Sequence, residues 1–260
     1  MKKVLVIGDS CVDVFEYGKV KRISPEAPVP ILIPVEERQT SGMTLNVWAN
    51  LCALGINADV LTNSDRPIKK RYVEENSNHM LLRVDRNDNV STLNWSYLRN
   101  TSWLDYDAIV ISDYDKGFLD REQIQYISES HQLTFMDSKK QLGEWCNNIR
   151  YIKLNDKEAH ENWKYLHEEY RNDIIVTKGK DGAAFNFRNV FLMDIDDQHP
   201  VRDLTGAGDT FLAGMVAEFL KSGGNIFQAI EFANKCAAWV VTQRGVTIID
   251  PTKIEKGNKQ

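Results

Sequence analysis

The stretch Asp203–Val216, DLTGAGDTFLAGMV, places an acid, two glycines and a second acid directly ahead of a long apolar run. Gly206 and Gly208 permit a tight turn, and the apolar spacing after them starts a helix. Two roles compete for such a helix start. Asp209 and Thr210 can cap it, their oxygens accepting hydrogen bonds from free backbone N–H groups. Alternatively, Gly206, Ala207 and Gly208 leave an N-terminus bare of large side chains, where N–H groups and the helix dipole together favour an anion. Asp209 would then take a proton from a substrate hydroxyl while its neighbours stabilise a phosphoryl group in transfer.

Other polar groups sit at the ends of short apolar runs. Asp13 follows the first of them, where a carboxylate can either shape a turn or accept two sugar hydroxyls. Asn155 and Glu158 in LNDKE suit either an Asn turn leading into a helix or an oxygen-rich support for magnesium, which keeps several waters. Thr177, Lys178 and Gly179 end another run, and ligands of open α/β sheets gather outside the carboxyl ends of strands. No GxxxxGK[ST] stretch is present, so a P-loop is excluded.

The elements that must position these groups alternate. KKVLVIGD, ADVLTN, DAIVISDY, LTFMDS, RYIKLN and DIIVTKG read as buried strands, and TLNVWANLCALG and DREQIQYISES have helical spacing between them. This predicts an α/β fold: a doubly wound, mostly parallel sheet with helices on both faces. Pro25, Pro28, Pro30 and Pro34 keep SPEAPVPILIPVEE out of a central ladder and predict a small projecting β lid, about 14–38. NHMLLRVDRNDNV, about 79–92, either pairs with that flap or joins the main sheet. GAAFNFRNVFLMDI predicts a hairpin turning around Arg188 and Asn189, followed by helices from Ala207 to Lys221 and from about Ile226 to Gln243. The polar tail KIEKGNKQ is expected to fray.

Composition narrows the function. A net charge of -5 over 260 residues, with 42% hydrophobic and 27% charged residues, argues for an ordinary globular protein and against a general nucleic-acid binder. Cys11, Cys52, Cys146 and Cys236 are too scattered for a zinc site or a secreted disulfide framework. Asp9 ends the first apolar run too early for a signal peptide, and no segment reads as a membrane span, so a cytoplasmic protein is expected. Neither repeats nor an interdomain linker interrupt residues 1–260.

DLTGAGDTFLAG resembles the C-terminal signature of the ribokinase-like (PfkB) carbohydrate kinases, and GDSCVDVFEYGKVKRISPEAPVPI resembles the N-terminal region of the heptose 7-phosphate kinases within that group. SGMTLNVWANLCALG, VISDYDKGFL, FMDSKK, KLNDKE and VTKGKDGA resemble successive segments between them. The resemblance implies a single ribokinase-like domain that uses ATP and Mg2+ to phosphorylate a sugar hydroxyl. D-glycero-D-manno-heptose 7-phosphate, converted to the 1,7-bisphosphate, is the expected acceptor; a fructose-, ribose- or nucleoside-type acceptor, or a silent sugar- or nucleotide-binding protein, is the alternative.

By the same resemblance Asp209 is the base and Gly206, Ala207 and Gly208 form the anion hole. Asn155 and Glu158 organise magnesium, and Thr177, Lys178, Gly179, Gly182 and Asn234 meet the nucleotide. Asp13, Gly42 and Asn46 meet the sugar, with Glu26 on the lid above it. Asp203 and Thr205 lie near a monovalent cation such as K+; Arg83 and Lys70 by their charge suit either a phosphate on the sugar or a solvated surface position. The resemblance implies a separate nucleotidyltransferase acting downstream, and the unpaired edge of an exposed β flap, which a second subunit can cover, leads to the expectation of a homodimer through the lid. The chain departs from the family pattern at Ser41, at MTLN and at Leu204, and it is shortened after Asn63.

Overall fold

A computed structural model of the protein describes residues 2–167, 172–192 and 200–255. Among these residues, one sheet of eight strands runs through the molecule in the order β12-β11-β10-β9-β8-β7-β1-β4. Its members are β1 (Lys3–Gly8), β4 (Asn57–Thr62), β7 (Ala108–Asp113), β8 (Thr134–Ser138), β9 (Tyr151–Asn155), β10 (Asp173–Thr177), β11 (Ala183–Phe185) and β12 (Asn189–Phe191). The six strands from β4 to β10 are parallel, and β11 and β12 close the edge as an antiparallel hairpin. Each of the six strands read as buried from the sequence takes its place here.

Burial on both faces explains why these strands are almost continuously apolar. β7 and β8 are buried along their whole length. One face packs on α1 (Thr44–Ala53), α6 (Ala207–Lys221) and α7 (Ile226–Val240), where Phe135, Tyr151 and Phe219 meet with ring centroids 5.0 to 5.4 Å apart. Leu98 of α2 (Trp95–Asn100), Ile124 and Ile127 of α3 (Arg121–Ser130) and Leu166 of α5 (Trp163–His167) belong to the core on the other face. Between β9 and α5, α4 (Asp156–Glu161) opens from the strand end, and α8 (Pro251–Glu255) returns Ile254 to the first core. None of the described helices is long and apolar enough to cross a membrane.

A second sheet of four strands, β3-β2-β5-β6, stands off this body. It comprises β2 (Ser10–Ile23), β3 (Pro30–Met43), β5 (Ile68–Glu74) and β6 (Met80–Arg86). Of the four prolines, Pro25 and Pro28 lie in the bend between β2 and β3, and Pro30 and Pro34 lie in the edge strand β3, where missing N–H donors cost least. β6 belongs to this sheet, but β5 and β2 separate it from β3. The sequence reading missed β5, whose inner face is the alternating set Lys69, Arg71 and Val73. Charged residues at buried positions masked the apolar alternation by which half-buried strands are read.

Boundaries move elsewhere by small amounts. The hairpin turns at Asn186 and Phe187, both at positive φ, and β12 begins at Asn189. The helix expected to reach Gln243 ends at Val240. The continuation of the hairpin across 193–195 and the tail from 256 lie outside the described residues.

Candidate active site

Asp209 occupies the first turn of α6 and is only 4% exposed. Its carboxylate does not cap the helix. Oδ1 accepts from the Tyr114 hydroxyl at 2.6 Å, and Oδ2 accepts from Asn46 Nδ2 at 3.1 Å. Thr210 Oγ1 is buried with no hydrogen-bond partner among the described residues, so neither residue acts as the cap. Gly206 is the N-cap instead, left-handed at φ 82, and a Cβ there would lie 2.9 Å from Asn46 Nδ2. Glycine is thus required twice over, for its backbone and for the approach of Asn46.

Burial pushes the Asp209 carboxyl up to about 6, against the hydrogen bonds from Tyr114 and Asn46, which favour the charged form. A carboxylate poised there is ionised at neutral pH yet basic enough to take a proton. The remaining N–H groups of the first turn have no partner within the helix. The expectation of three bare N–H groups needs one correction, because Ala207 N–H donates to the Leu204 carbonyl at 3.3 Å. A side chain on Gly208 would meet Lys153 Nζ at 3.1 Å, which sets a buried cation directly beside the helix start.

The sequence reading did not single out Lys153 or its partner Asp137. Lys153 Nζ donates to Asp137 Oδ2 at 2.6 Å, and both are buried. Burial alone would raise the Asp137 carboxyl, but Lys153 and Lys139 outweigh it and hold it low. Tyr114 was also missed. Its backbone N–H is fixed by Asp9 Oδ2 at 2.6 Å, and Lys69 and Lys139 lie 5.0 and 5.3 Å from its ring centroid. One signal for these residues exists in the sequence: a lysine or aspartate inside an otherwise apolar buried strand, as in YIKLN and TFMDS, must be paired.

Beside Asp209 a cleft of about 330 Å³ opens between the two sheets. Asp13, Arg71, Arg83, Thr205 and Gly206 share its wall with Asp209, and Met43 joins them at a positive φ of 59. Asp13 accepts from Arg71 Nη1, an ion pair absent from the sequence reading. A Cβ on Gly42 would lie 1.9 Å from Asp13 Oδ2, so the close approach read from that glycine is to Asp13. Cys11 Sγ lies 3.7 Å from the same oxygen, and burial followed by the Asp13 charge pushes its thiol up to about 12, which makes it inert at neutral pH. Glu26 is not part of the cleft wall; it sits in the exposed bend between β2 and β3. Lys70 lies on the outer face, paired with Glu16 and Glu37.

The residues expected on the nucleotide side are placed apart from this cleft. Asn155 and Glu158 form a reciprocal capping box at the start of α4, and Glu158 Oε1 also accepts from Lys139. That is the local helix-start reading, with the carboxylate already engaged on both oxygens. No group of three or more His, Cys, Asp or Glu side chains suited to a metal occurs among the described residues. Thr177 donates to the Leu154 carbonyl at 3.2 Å, and Lys178 N–H donates to the Gly182 carbonyl at 2.7 Å, closing a tight turn through Gly179. Asn234 is buried, with Nδ2 on the Phe191 carbonyl at 3.0 Å and Oδ1 without a partner among the described residues. Asp203 accepts from Thr205 N–H at 2.9 Å and Gly245 N–H at 3.2 Å, tying two loops beside the helix start.

Residues 47–253 match the model of the pfkB family carbohydrate kinases. The bifunctional protein HldE of a Nitratiruptor species is 29% identical over 300 residues, covering 98% of this chain and 64% of that protein. HldE of Helicobacter acinonychis is 31% identical over 301 residues, covering 94% and 64%. The chain therefore spans 64% of the length of these curated relatives. Among solved structures, ribokinase from Thermotoga maritima superposes with a TM-score of 0.74 at 15% identity, each chain covered in full. Phosphofructokinase-2 from Escherichia coli in complex with potassium gives 0.73 at 15% identity, covering 98% of this chain and 97% of that one. These likenesses bear out the ribokinase-like fold class.

The geometry around Asp209 generates a measurable expectation. Followed by carbon-13 NMR, the Asp209 carboxyl should titrate near pH 6, above the ordinary value of 3.8. Tyr114→Phe removes a donor to the charged form and should raise it further; titration at an ordinary carboxylate value, unmoved by the substitution, would contradict the arrangement.

Proposed function

This chain belongs to the pfkB family of carbohydrate kinases, and we propose on that premise that it transfers the γ-phosphoryl group of ATP to a sugar hydroxyl. The observation that carries the reading is Asp209: a buried, basic carboxylate at a bare helix start, facing a cleft that also presents Asp13. In this reading Asp13 accepts hydroxyls of the sugar, and Asn46 and Tyr114 hold Asp209 while it takes the proton of the attacking hydroxyl. Gly206, Gly208 and Lys153 face the transferred group with N–H donors and positive charge.

The open notch at Gly208, with Lys153 Nζ beside it, fits nucleotide phosphates, and the turn from Thr177 to Gly182 with Asn234 would hold the remainder of ATP. When bound, ATP supplies the phosphoryl group. Magnesium is proposed to enter on the nucleotide, keeping its waters, with Asn155 and Glu158 meeting those waters rather than the ion, since each Glu158 oxygen already accepts one hydrogen bond, from Lys139 or from the capping box. Potassium near Asp203 and Thr205 is proposed from the loops that Asp203 ties together and from the neighbouring fold solved with potassium.

Similarity to the HldE proteins supports a heptose 7-phosphate acceptor phosphorylated at its anomeric hydroxyl. Their bifunctional character also supports a nucleotidyltransferase acting next. A cytoplasmic setting agrees with four free cysteines. The four-stranded sheet serves as the lid over the sugar. Ile33, Val35, Met80 and Leu82 are exposed on it, which supports a homodimer through this sheet.

Two measurements test these readings. Phosphoryl transfer from ATP across a sugar panel should be detected with a heptose 7-phosphate, and Asp209→Asn should lower kcat by about 10²- to 10⁴-fold with ATP binding retained. Unchanged turnover would remove Asp209 from the mechanism. The paired substitution Val35→Asp and Leu82→Asp should convert a dimer to a monomer in sedimentation at micromolar concentration, whereas a monomeric wild-type chain would rule the dimer out.

A further inference from the structure

Of the three hydrophobic clusters among the described residues, the smallest joins the four-stranded sheet to the loop that follows α7. Phe15 and Tyr17 come from β2, Val73 from β5, and Val246 from that loop. Val246 also reaches the helix start, its Cγ1 lying 3.4 Å from where a Cβ on Gly206 would stand. A Cβ on Gly245, at φ 67, would lie 3.3 Å from Phe15 Cε2, so this glycine is needed both for its left-handed backbone and for the approach of the ring. The segment Arg244–Val246 is thus wedged between the sheet that carries Asp13 and the turn that opens α6.

Polar contacts fasten the same segment on both sides. Arg244 Nη2 donates to the Glu75 carbonyl at 2.9 Å, on the turn between β5 and β6, and its guanidinium carbon lies 5.9 Å from the Tyr17 ring centroid. Asn78 of that turn donates to the Arg202 carbonyl. The turn is itself fixed, since Glu74 Oε2 accepts from the Asn76 and Ser77 N–H groups at 3.1 and 2.7 Å. On the other side, Gly245 N–H donates to Asp203 Oδ2, and Asp203 Oδ1 accepts from Thr205 N–H, immediately before the Gly206 N-cap.

We propose that Arg244 is a positioning residue that, through Gly245 and Asp203, sets the distance between a hydroxyl held by the four-stranded sheet and the N–H groups that start α6. This rests on the kinase reading for the reaction it serves. Asp13 stands on β2, whereas Asp209 stands on α6, so the site is divided between the two sides of the wedge. Alignment of two reactants counts heavily, since about 1 Å of misplacement can cost about 10²-fold in rate. Arg244 is exposed and lies outside the cleft wall; its contribution is the seating of one half-site on the other.

Arg244→Met and Arg244→Lys are compared with the wild-type chain, using ATP and heptose 7-phosphate. Arg244→Met should lower kcat about 10- to 100-fold while the KM values for sugar and ATP stay within about 3-fold, because each half-site is intact and only their alignment is lost. Arg244→Lys keeps a donor for the Glu75 carbonyl and a cation for the Tyr17 ring, and should recover most of kcat. Unchanged kcat, a rise in KM that accounts for the whole loss, or a lysine variant no better than the methionine would overturn the proposal.

Amide hydrogen exchange followed by NMR provides a second readout. In Arg244→Met the Thr205 and Gly245 N–H groups should exchange at least about 10-fold faster with those of β7 and β8 unaltered, a pattern that general loss of stability does not give. In the wild-type chain at rising sub-denaturing urea, Thr205 and Gly245 should open together with the amides of β5 and ahead of the parallel sheet. Opening of Thr205 and Gly245 independently of β5 would overturn the inference, even where a variant fails to fold. Exchange needs no phosphoryl transfer: absence of transfer to any sugar would remove the kinase reading, whereas independent opening would remove this inference alone.

Discussion

The organising constraint is the burial of the Asp209 carboxylate. A lone carboxylate removed from water would be neutral at physiological pH, and a neutral acid cannot serve as a base. Two donors keep it chargeable: Tyr114 beyond the end of β7 and Asn46 on α1. Each is itself held. Tyr114 hangs on Asp9 beyond β1, and Asn46 accepts from Asn50, whose own Oδ1 accepts from Ile249 N–H. The parallel sheet, α1 and the α6 start must therefore be in register before Asp209 acquires its basicity, so the fold and the chemistry rest on the same contacts.

Around this acid, opposite charges are paired on and just beyond the strands of both sheets. Asp137 and Lys153 on β8 and β9, Asp113 at the end of β7 with Lys140 just beyond β8, and Asp13 and Arg71 on β2 and β5 form buried ion pairs. Such pairs contribute little net stability, because desolvation offsets much of the attraction. Removing one partner is far more harmful, since it leaves the other charge buried and alone. Their effect here is to hold Lys153 beside the start of α6 and Asp13 against Arg71 in the cleft wall.

The parallel sheet was legible because its inner strands are buried on both faces and nearly continuously apolar, and α6 and α7 were legible from their spacing. The hairpin was also found, with its turn displaced to the left-handed Asn186 and Phe187. β5 was not found, since KKRY carries its charges inward over the cleft and outward to Glu16 and Glu37. At the site, Asp209, Asp13, Asn46 and the glycines were readable as chemistry-bearing types. Tyr114, Lys153 and Arg71 were not, because their roles arise from partners 95, 16 and 58 residues away in the chain. Spacing within a motif carries no record of such contacts. Glu158 shows the converse: its local capping geometry was readable, while Lys139 on its other oxygen was not.

If Asp209 is the base, its ionisation should govern the reaction itself. Because burial raises its carboxyl to about 6, the charged form needed for proton removal is lost as pH falls through that value. The most direct test is the pH dependence of kcat/KM for phosphoryl transfer by the wild-type chain, alongside Tyr114→Phe. The account predicts an acidic limb near pH 6 that moves to higher pH when the Tyr114 hydroxyl is removed. A flat profile down to about pH 5, or a limb indifferent to Tyr114, would contradict it.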